Sequence, residues 1–156
     1  MRRLRIFHQL QAAHSALFRA ADHHLRDTLG LGSAQQAILF MLAKEDGLPL
    51  GEITQRLHLG KSGLSGLVDR MEKSGLVRRA PNERDRRSVA LYLLPQGRAL
   101  ADRSAPITKA INNELLEPFS ADEQETIARF LDHITHHSQA VVANNVRART
   151  PEETSP

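Results

Sequence analysis

The sequence predicts a mainly α-helical protein that carries one small β-hairpin. Three observations support this class. The 156 residues are rich in Leu and Ala, which favours helix, and the five Phe, one Tyr and no Trp predict an aliphatic core. Apolar residues recur at helical spacing over most of the chain. A short alternating apolar run beside a charged segment is typical of a hairpin. The length is that of one domain with a core of its own.

The first third predicts a long helix followed by a short, buried one. The long helix runs from Leu4 to Leu29 and ends at Gly30. A capping-box pattern then opens at Ser33, predicted as the N-cap, with Gln36 reaching back. The short helix that follows, through Ala43, is apolar on nearly all sides and is therefore expected to be buried.

Residues 51–73 predict two short helices joined by a turn at residues 58–60. In the second helix, one face is apolar and the opposite face is small, polar and partly basic. The apolar positions are Leu64, Leu67, Val68 and Met71, and the outer face carries Ser62, Ser65, Gly66, Asp69, Arg70 and Lys73. Such a helix can press closely against a flat polar partner. The pair has the spacing of a helix-turn-helix.

A hairpin with a long, charged tip is predicted after this helix. Val77 and the alternating Val89, Leu91 and Leu93 flank residues 82–87. The segment 51–91 carries nine Lys/Arg against five Asp/Glu, whereas the remainder carries twelve against thirteen. This concentration, with arginines at positions 78, 79, 84, 86 and 87, favours a polyanionic partner. A solvated basic face would explain the charge alone equally well.

Two further long helices are predicted at the C-terminal end. The first runs from Pro95 to about residue 117 and contains Pro106, which is expected to bend or break it. A second capping box, Ser120–Glu123, opens a last helix to about Asn145. Residues 148–156 have the composition of a disordered tail.

The outer helices carry apolar stripes that one copy of the chain has too little surface to cover. We therefore expect a twofold homodimer, with residues 1–32 and 95–147 as the helical dimerisation region and residues 33–94 as the DNA-binding region. Two recognition helices in such a dimer would read a palindrome in double-stranded DNA.

Several classes of function are disfavoured by the sequence. The absence of Cys excludes disulfides and thiolate metal sites. No secretory h-region and no run of about 18 apolar residues is found, so a soluble, cytoplasmic protein with no membrane partner is expected. No nucleophile elbow, HExxH motif or phosphate loop is found, so neither an enzymatic activity nor a cofactor is expected.

Two motifs resemble the MarR-type winged helix-turn-helix regulators. Residues 67–77, Leu-Val-Asp-Arg-Met-Glu-Lys-Ser-Gly-Leu-Val, are similar to the family's recognition segment, and residues 85–97 are similar to its wing signature. The resemblance covers about residues 5 to 145. Leu94 replaces the usual Thr, and Gly63 and Gly66 stand where the family often has Thr and Arg.

The resemblance implies a homodimeric transcriptional regulator, by family default a repressor, that binds a palindromic operator and is released by a small effector such as an aromatic carboxylate. It also implies that a wing arginine enters the DNA minor groove. With Gly63 and Gly66 in the recognition helix, sequence preference is expected to depend more on the wing and on DNA shape.

The predicted DNA-binding set combines these patterns: Lys61, Ser62, Gly63, Ser65, Gly66, Arg70, Lys73, Arg84 and Arg86. Lys61 can reach phosphate, and the serines can donate to phosphate or base edges. Arg70 is expected either to contact DNA or to brace Glu72 or the wing. Asp85 would repel phosphate, so it is expected to pair with Arg87 as a brace of the hairpin.

Histidines suggest two ligand hypotheses. His14 beside Phe18 on the first helix would suit an aromatic effector, although a histidine on an apolar face is also compatible with a core or interface role. His133 and His137 are spaced i, i+4 on the last helix, which can hold one metal ion. A zinc-responsive regulator of the same fold is therefore the alternative, and it lacks an identified third ligand.

Overall fold

The computed structural model describes residues 4–83 and 85–147, with side chains through residue 145. It contains six helices and a three-stranded antiparallel sheet, which confirms the predicted class. The elements are α1 (Ile6–Leu29), α2 (Ser33–Lys44), β1 (Leu48–Pro49), α3 (Leu50–Leu57), α4 (Lys61–Lys73), β2 (Val77–Pro81), β3 (Val89–Leu93), α5 (Pro95–Leu116) and α6 (Ala121–Arg147). Arg84 and the predicted tail at residues 148–156 lie outside the described residues.

The chain divides into two compact units, Met1–Thr108 and Lys109–Pro156. The first unit holds an aliphatic core built from α2, α3, α4 and the sheet, as the low aromatic content predicts. Its fully buried large side chains include Leu31, Ile38, Leu39, Leu42, Leu48, Ile53, Val68, Met71 and Leu91. The predicted dimerisation region concerns contacts between two copies and stays a prediction.

The junction of α1 and α2 corrects the predicted cap by one residue. Gly32, not Ser33, is the N-cap of α2, and the Gln35 side chain accepts a hydrogen bond from the Gly32 N–H at 2.8 Å. Ser33 instead donates its main-chain N–H to Asp22 on α1 at 2.6 Å. Gln36 is buried and donates to the Thr108 hydroxyl at 3.0 Å. The local sequence pattern thus placed the N-cap of α2 one residue too late, and the hydrogen bond to Asp22 on α1 determines where the helix begins.

The helix-turn-helix is formed by α3 and α4, as predicted. His58 ends α3 in the left-handed conformation, with φ +51°, and so turns the chain sharply. Gly60 then forms the N-cap of α4. Leu64, Val68 and Met71 are buried on the inner face of α4, which confirms the helical spacing found in the sequence.

The sheet has the strand order β1-β3-β2, so β3 is central and both neighbours are antiparallel to it. Val77 pairs with Leu93 at one end of the hairpin and Pro81 pairs with Val89 at the other. Leu48 pairs with Leu91, so the two-residue strand β1 forms one edge of the sheet.

Helix α5 packs directly on the start of β2. A Cβ atom at Gly97 would lie 2.2 Å from the carbonyl oxygen of Leu76, so only glycine allows this approach. The Leu94 N–H donates to the same carbonyl at 3.0 Å. These contacts tie the hairpin to the helix that follows it.

Of the two effects expected of Pro106, a break does not occur, because α5 is continuous from Pro95 to Leu116. A proline removes one main-chain donor, and nearby hydroxyls provide further hydrogen bonds to carbonyl oxygens on this stretch. Ser104 donates to Ala101 O at 3.0 Å and Thr108 donates to Ser104 O at 3.3 Å.

Helix α6 lies in the second unit. The predicted capping box is confirmed, since the Ser120 N–H donates to Glu123 at 2.8 Å and the Glu123 N–H donates to the Ser120 hydroxyl at 3.4 Å. In this single copy its apolar stripe is exposed, including Phe130, Leu131, Val141 and Val142. Among the described residues, no helix is long and apolar enough to cross a membrane.

Candidate nucleic-acid interface

The outer face of α4 is polar and low in relief. Lys61, Ser62, Gly63 and Ser65 are exposed along its first half, and Gly66 is half-buried. A Cβ atom at Gly63 would meet nothing within 4 Å, so the main chain itself is open to an approaching partner. Arg70 and Lys73 are exposed on the second half, as predicted, and neither forms an ion pair with another described residue.

The hairpin between β2 and β3 forms the predicted wing, and Arg86 is exposed at its tip. The predicted brace takes a different form: Asp85 contacts Arg87, but it accepts a hydrogen bond from the main-chain N–H of Arg87 at 3.1 Å. Ser88 adds two hydrogen bonds to the Asp85 carbonyl oxygen, both at 2.9 Å. Asp85 therefore shapes the turn through the main chain, and the Arg87 side chain is exposed.

Arg79 on β2 contacts α4 at several points, a role that the sequence analysis missed. Its guanidinium lies 2.7 Å from the Asp69 carboxylate, forms an ion pair with Glu72, and donates to the Ser65 carbonyl oxygen at 3.3 Å. Its main-chain N–H also donates to Glu72 at 2.6 Å. Burial lowers the pKa of Arg79, but the hydrogen bonds and charges of Asp69 and Glu72 outweigh it, so the net pKa is raised.

The arginines of this region therefore do not act as one basic group. Arg79 is committed to two carboxylates, and Arg78 stacks over the Tyr92 ring at 4.6 Å from its centroid. A signal was present in the sequence: Ser65, Asp69 and Glu72 fall at i, i+4 and i+7, which places two acidic groups on one side of a helix that is predicted to face DNA. A cation beside these two carboxylates offsets their negative charge, and Arg79 on the adjoining strand β2 supplies that cation.

A separate shallow cavity of about 730 Å³, wide open to solvent, lies along α1 and the start of α2. The rings of His14 and Phe18 stack at its wall, with centroids 4.5 Å apart. Arg19 and Arg26 also line it, and Arg26 lies 3.1 Å from Asp22. The predicted pair is thus brought together beside cationic groups.

The predicted metal pair lies on α6. The His133 and His137 rings are stacked with centroids 4.7 Å apart. No group of three or more His, Cys, Asp or Glu side chains suited to a metal ion occurs within residues 4–83 and 85–145. A zinc site in this part of the chain would therefore need a donor from outside it.

Comparison with known proteins gives a consistent set of matches. The MarR family model matches residues 29–88. The regulator PecS of Dickeya dadantii is 30% identical over 109 residues, which cover 67% of this chain and 66% of PecS. The transcriptional activatory protein BadR of Rhodopseudomonas palustris is 30% identical, covering 76% and 66%. HosA of Escherichia coli O157:H7 is 28% identical, covering 83% and 93%. The chain thus spans just under two thirds of the length of the first two relatives.

Solved structures show the same fold. A probable transcriptional regulator from Pseudomonas aeruginosa has a TM-score of 0.70 at 26% identity, covering 83% of this chain and 96% of its own. FabT of Streptococcus pneumoniae, solved in complex with DNA, has a TM-score of 0.71 at 17% identity, covering 88% and 97%. BpsR of Bordetella bronchiseptica, whose DNA binding is regulated by 6-hydroxynicotinic acid, has a TM-score of 0.74 at 21% identity, covering 84% and 93%.

Proposed function

Because the chain belongs to the MarR family of DNA-binding transcriptional regulators, which are not enzymes, we propose that it is a homodimeric repressor released from a palindromic operator by an aromatic carboxylate. The observation that carries the DNA-binding part is the bare polar face of α4 beside a wing with an exposed Arg86. Lys61, Lys73 and Arg86 supply the positive charge that phosphate requires.

The homodimer is supported by apolar side chains that one copy leaves exposed on its outer helices. On α1 these include Phe7 and Leu17, which are 76% and 40% exposed, and on α6 they include Val142 at 55%. Exposed apolar stripes along long helices suit an interface between two copies of the chain. Pairing two copies would give the two recognition helices that a palindrome needs.

The effector is supported by the cavity on α1. Its stacked His14 and Phe18 offer an aromatic surface, and Arg19 and Arg26 offer cationic partners for a carboxylate. BpsR, a protein of the same fold, responds to 6-hydroxynicotinic acid, which is itself an aromatic carboxylate. A repressor blocks transcription while it is bound to the operator, and a ligand that releases it restores transcription. Release by an aromatic carboxylate therefore fits a repressor.

A gel-shift titration with the DNA upstream of the gene tests the proposal. We expect a specific complex whose size, measured by light scattering, corresponds to two copies of the chain on one duplex. The addition of phenolic or nicotinic acids should lower the affinity. A chain that binds this DNA no better than a scrambled duplex at physiological salt would refute the proposed function.

A further inference from the structure

We propose that Arg79 is a positioning residue for DNA binding: it holds the wing against the recognition helix and offsets part of the acidic charge on that helix. This inference rests on the proposed function, in which α4 and the wing contact the same duplex.

The geometry assigns Arg79 the role of a clamp. Ser65, Asp69 and Glu72 lie on one side of α4, and Arg79 on β2 reaches all three. Two kinds of bond hold the strand, since both the guanidinium and the main-chain N–H of Arg79 engage Glu72. The strand at the base of the wing is therefore fixed to the helix at this point. Movement of the wing relative to α4 would require these charge-assisted bonds to break.

The charges give Arg79 a second effect. Asp69 is 53% exposed, so its carboxylate borders the surface that meets DNA. Two carboxylates within a Debye length of about 10 Å from phosphates would oppose binding. Arg79, whose side chain is 26% exposed, offsets them without presenting much of its own charge to solvent. Loss of Arg79 would therefore both loosen the wing and expose two negative charges.

A direct phosphate contact by Arg79 is the competing explanation, and a mutant cycle separates the two. Arg79→Met should weaken operator affinity at least tenfold, whereas Arg103→Met, which removes an exposed arginine from α5, should change it less than threefold. The double substitution Asp69→Asn/Glu72→Gln should raise affinity far more in the Arg79→Met background than in the wild-type background. Such coupling follows only if the three residues act together.

The proposal would be overturned if the effects of Arg79→Met and Asp69→Asn/Glu72→Gln on operator affinity were additive. Unchanged operator affinity of Arg79→Met would also overturn it. If Arg79 contacted phosphate directly, the slope of log K against log salt in Arg79→Met would be less negative by about 0.9, with no extra recovery in the triple variant. Arg79→Lys keeps the charge but not the planar fork, so it should give an intermediate affinity. Arg79→Lys replaces Arg79→Met in these measurements if thermal unfolding shows that Arg79→Met is too unstable to use.

Hydrogen exchange gives a readout that does not depend on DNA. Amides of β2 and β3 should exchange faster in Arg79→Met than in the wild type, with no matching change in Arg103→Met. Equal exchange in all three proteins would refute the clamp. If the wild-type chain fails to bind DNA, the proposed function falls, while the exchange data still decide whether Arg79 holds the wing.

Discussion

The guanidinium of Arg79 on β2 lies 2.7 Å from the carboxylate of Asp69 on α4. This ion pair joins the strand at the base of the wing to the recognition helix, and Glu72 extends it by a helical turn. An arginine that adds to the basic character of the sequence is thus used inside the protein. The exposed cations that we propose for phosphate contact lie at the start of α4, on its outer face and at the wing tip.

The wing arginines are expected to contribute directly to DNA affinity. Arg84→Ala/Arg86→Ala should weaken operator binding by tenfold or more, about 1.4 kcal/mol, because cationic side chains are attracted to a narrow minor groove. A gel shift at fixed salt measures this. Arg103→Ala, on α5, is the matched control, and undiminished binding by the double variant would remove the wing assignment.

The low relief of α4 should be essential for close approach to DNA. Gly63→Leu has open space in the free protein, so it should fold at least as stably, by up to about 1 kcal/mol from helix propensity. Its operator affinity should nevertheless fall strongly, because the larger side chain holds the helix off the duplex. The operator affinity of Gly63→Ala should lie between that of the wild type and that of Gly63→Leu. Full affinity in Gly63→Leu would show that the position does not face DNA.

Gly97 should be required for stability. Gly97→Ala places a Cβ atom 2.2 Å from Leu76 O and 2.9 Å from a Leu93 methyl, so we expect a loss of about 1–3 kcal/mol in the free energy of unfolding. Chemical denaturation measures this loss. Gly51→Ala meets nothing within 4 Å and is the control. Equal stability of the two variants would contradict the close packing of α5 on the sheet.

The Asp22–Ser33 contact should make stability depend on pH. Hydrogen bonds from Ser33, with the Arg26 charge, lower the pKa of Asp22 below its ordinary value of 3.8. The ionised carboxylate therefore stabilises the fold fully above that value, and this contribution is lost as pH falls through the lowered folded-state pKa. Asp22→Asn should be less stable at pH 7, and its deficit should shrink at the acid end.

Urea unfolding of the wild type and Asp22→Asn at pH 7 and at successive acid steps measures this difference. Asp27→Asn is a suitable control, because Asp27 is an exposed partner of His23 on the same helix. A deficit in Asp22→Asn that stays constant across the range would mean that the carboxylate charge is not the cause.

His14 should contribute to the affinity for the effector and not to the affinity for the operator. His14→Ala removes one of the two stacked rings in the α1 cavity, so calorimetry with a panel of phenolic acids should show weaker binding. The operator affinity without ligand should stay as in the wild type. His8→Ala, also exposed on α1 but outside this cavity, is the control. Identical calorimetric curves for His14→Ala and the wild type would exclude His14 from the effector site.

The sequence by itself determined the elements and their order. Helical spacing placed Leu64, Val68 and Met71 inside, alternation placed the hairpin, and Ser120 with Glu123 capped α6. Each of these signals is local, because it depends on residues within a few positions of each other. The polar outer face of α4 follows from the same spacing, so most of the candidate DNA-binding set could be identified without coordinates.

The tertiary structure decided what depends on partners distant in the chain. The N-cap of α2 is Gly32 because Asp22, eleven residues before Ser33, takes the Ser33 N–H. Helix α5 continues through Pro106, where local propensity predicts a break or bend. Arg79 is bound to Asp69 and Glu72 because the strand returns alongside α4. A charge count adds every arginine with equal weight, and only the packing of β2 on α4 shows that Arg79 is paired with carboxylates of the protein itself.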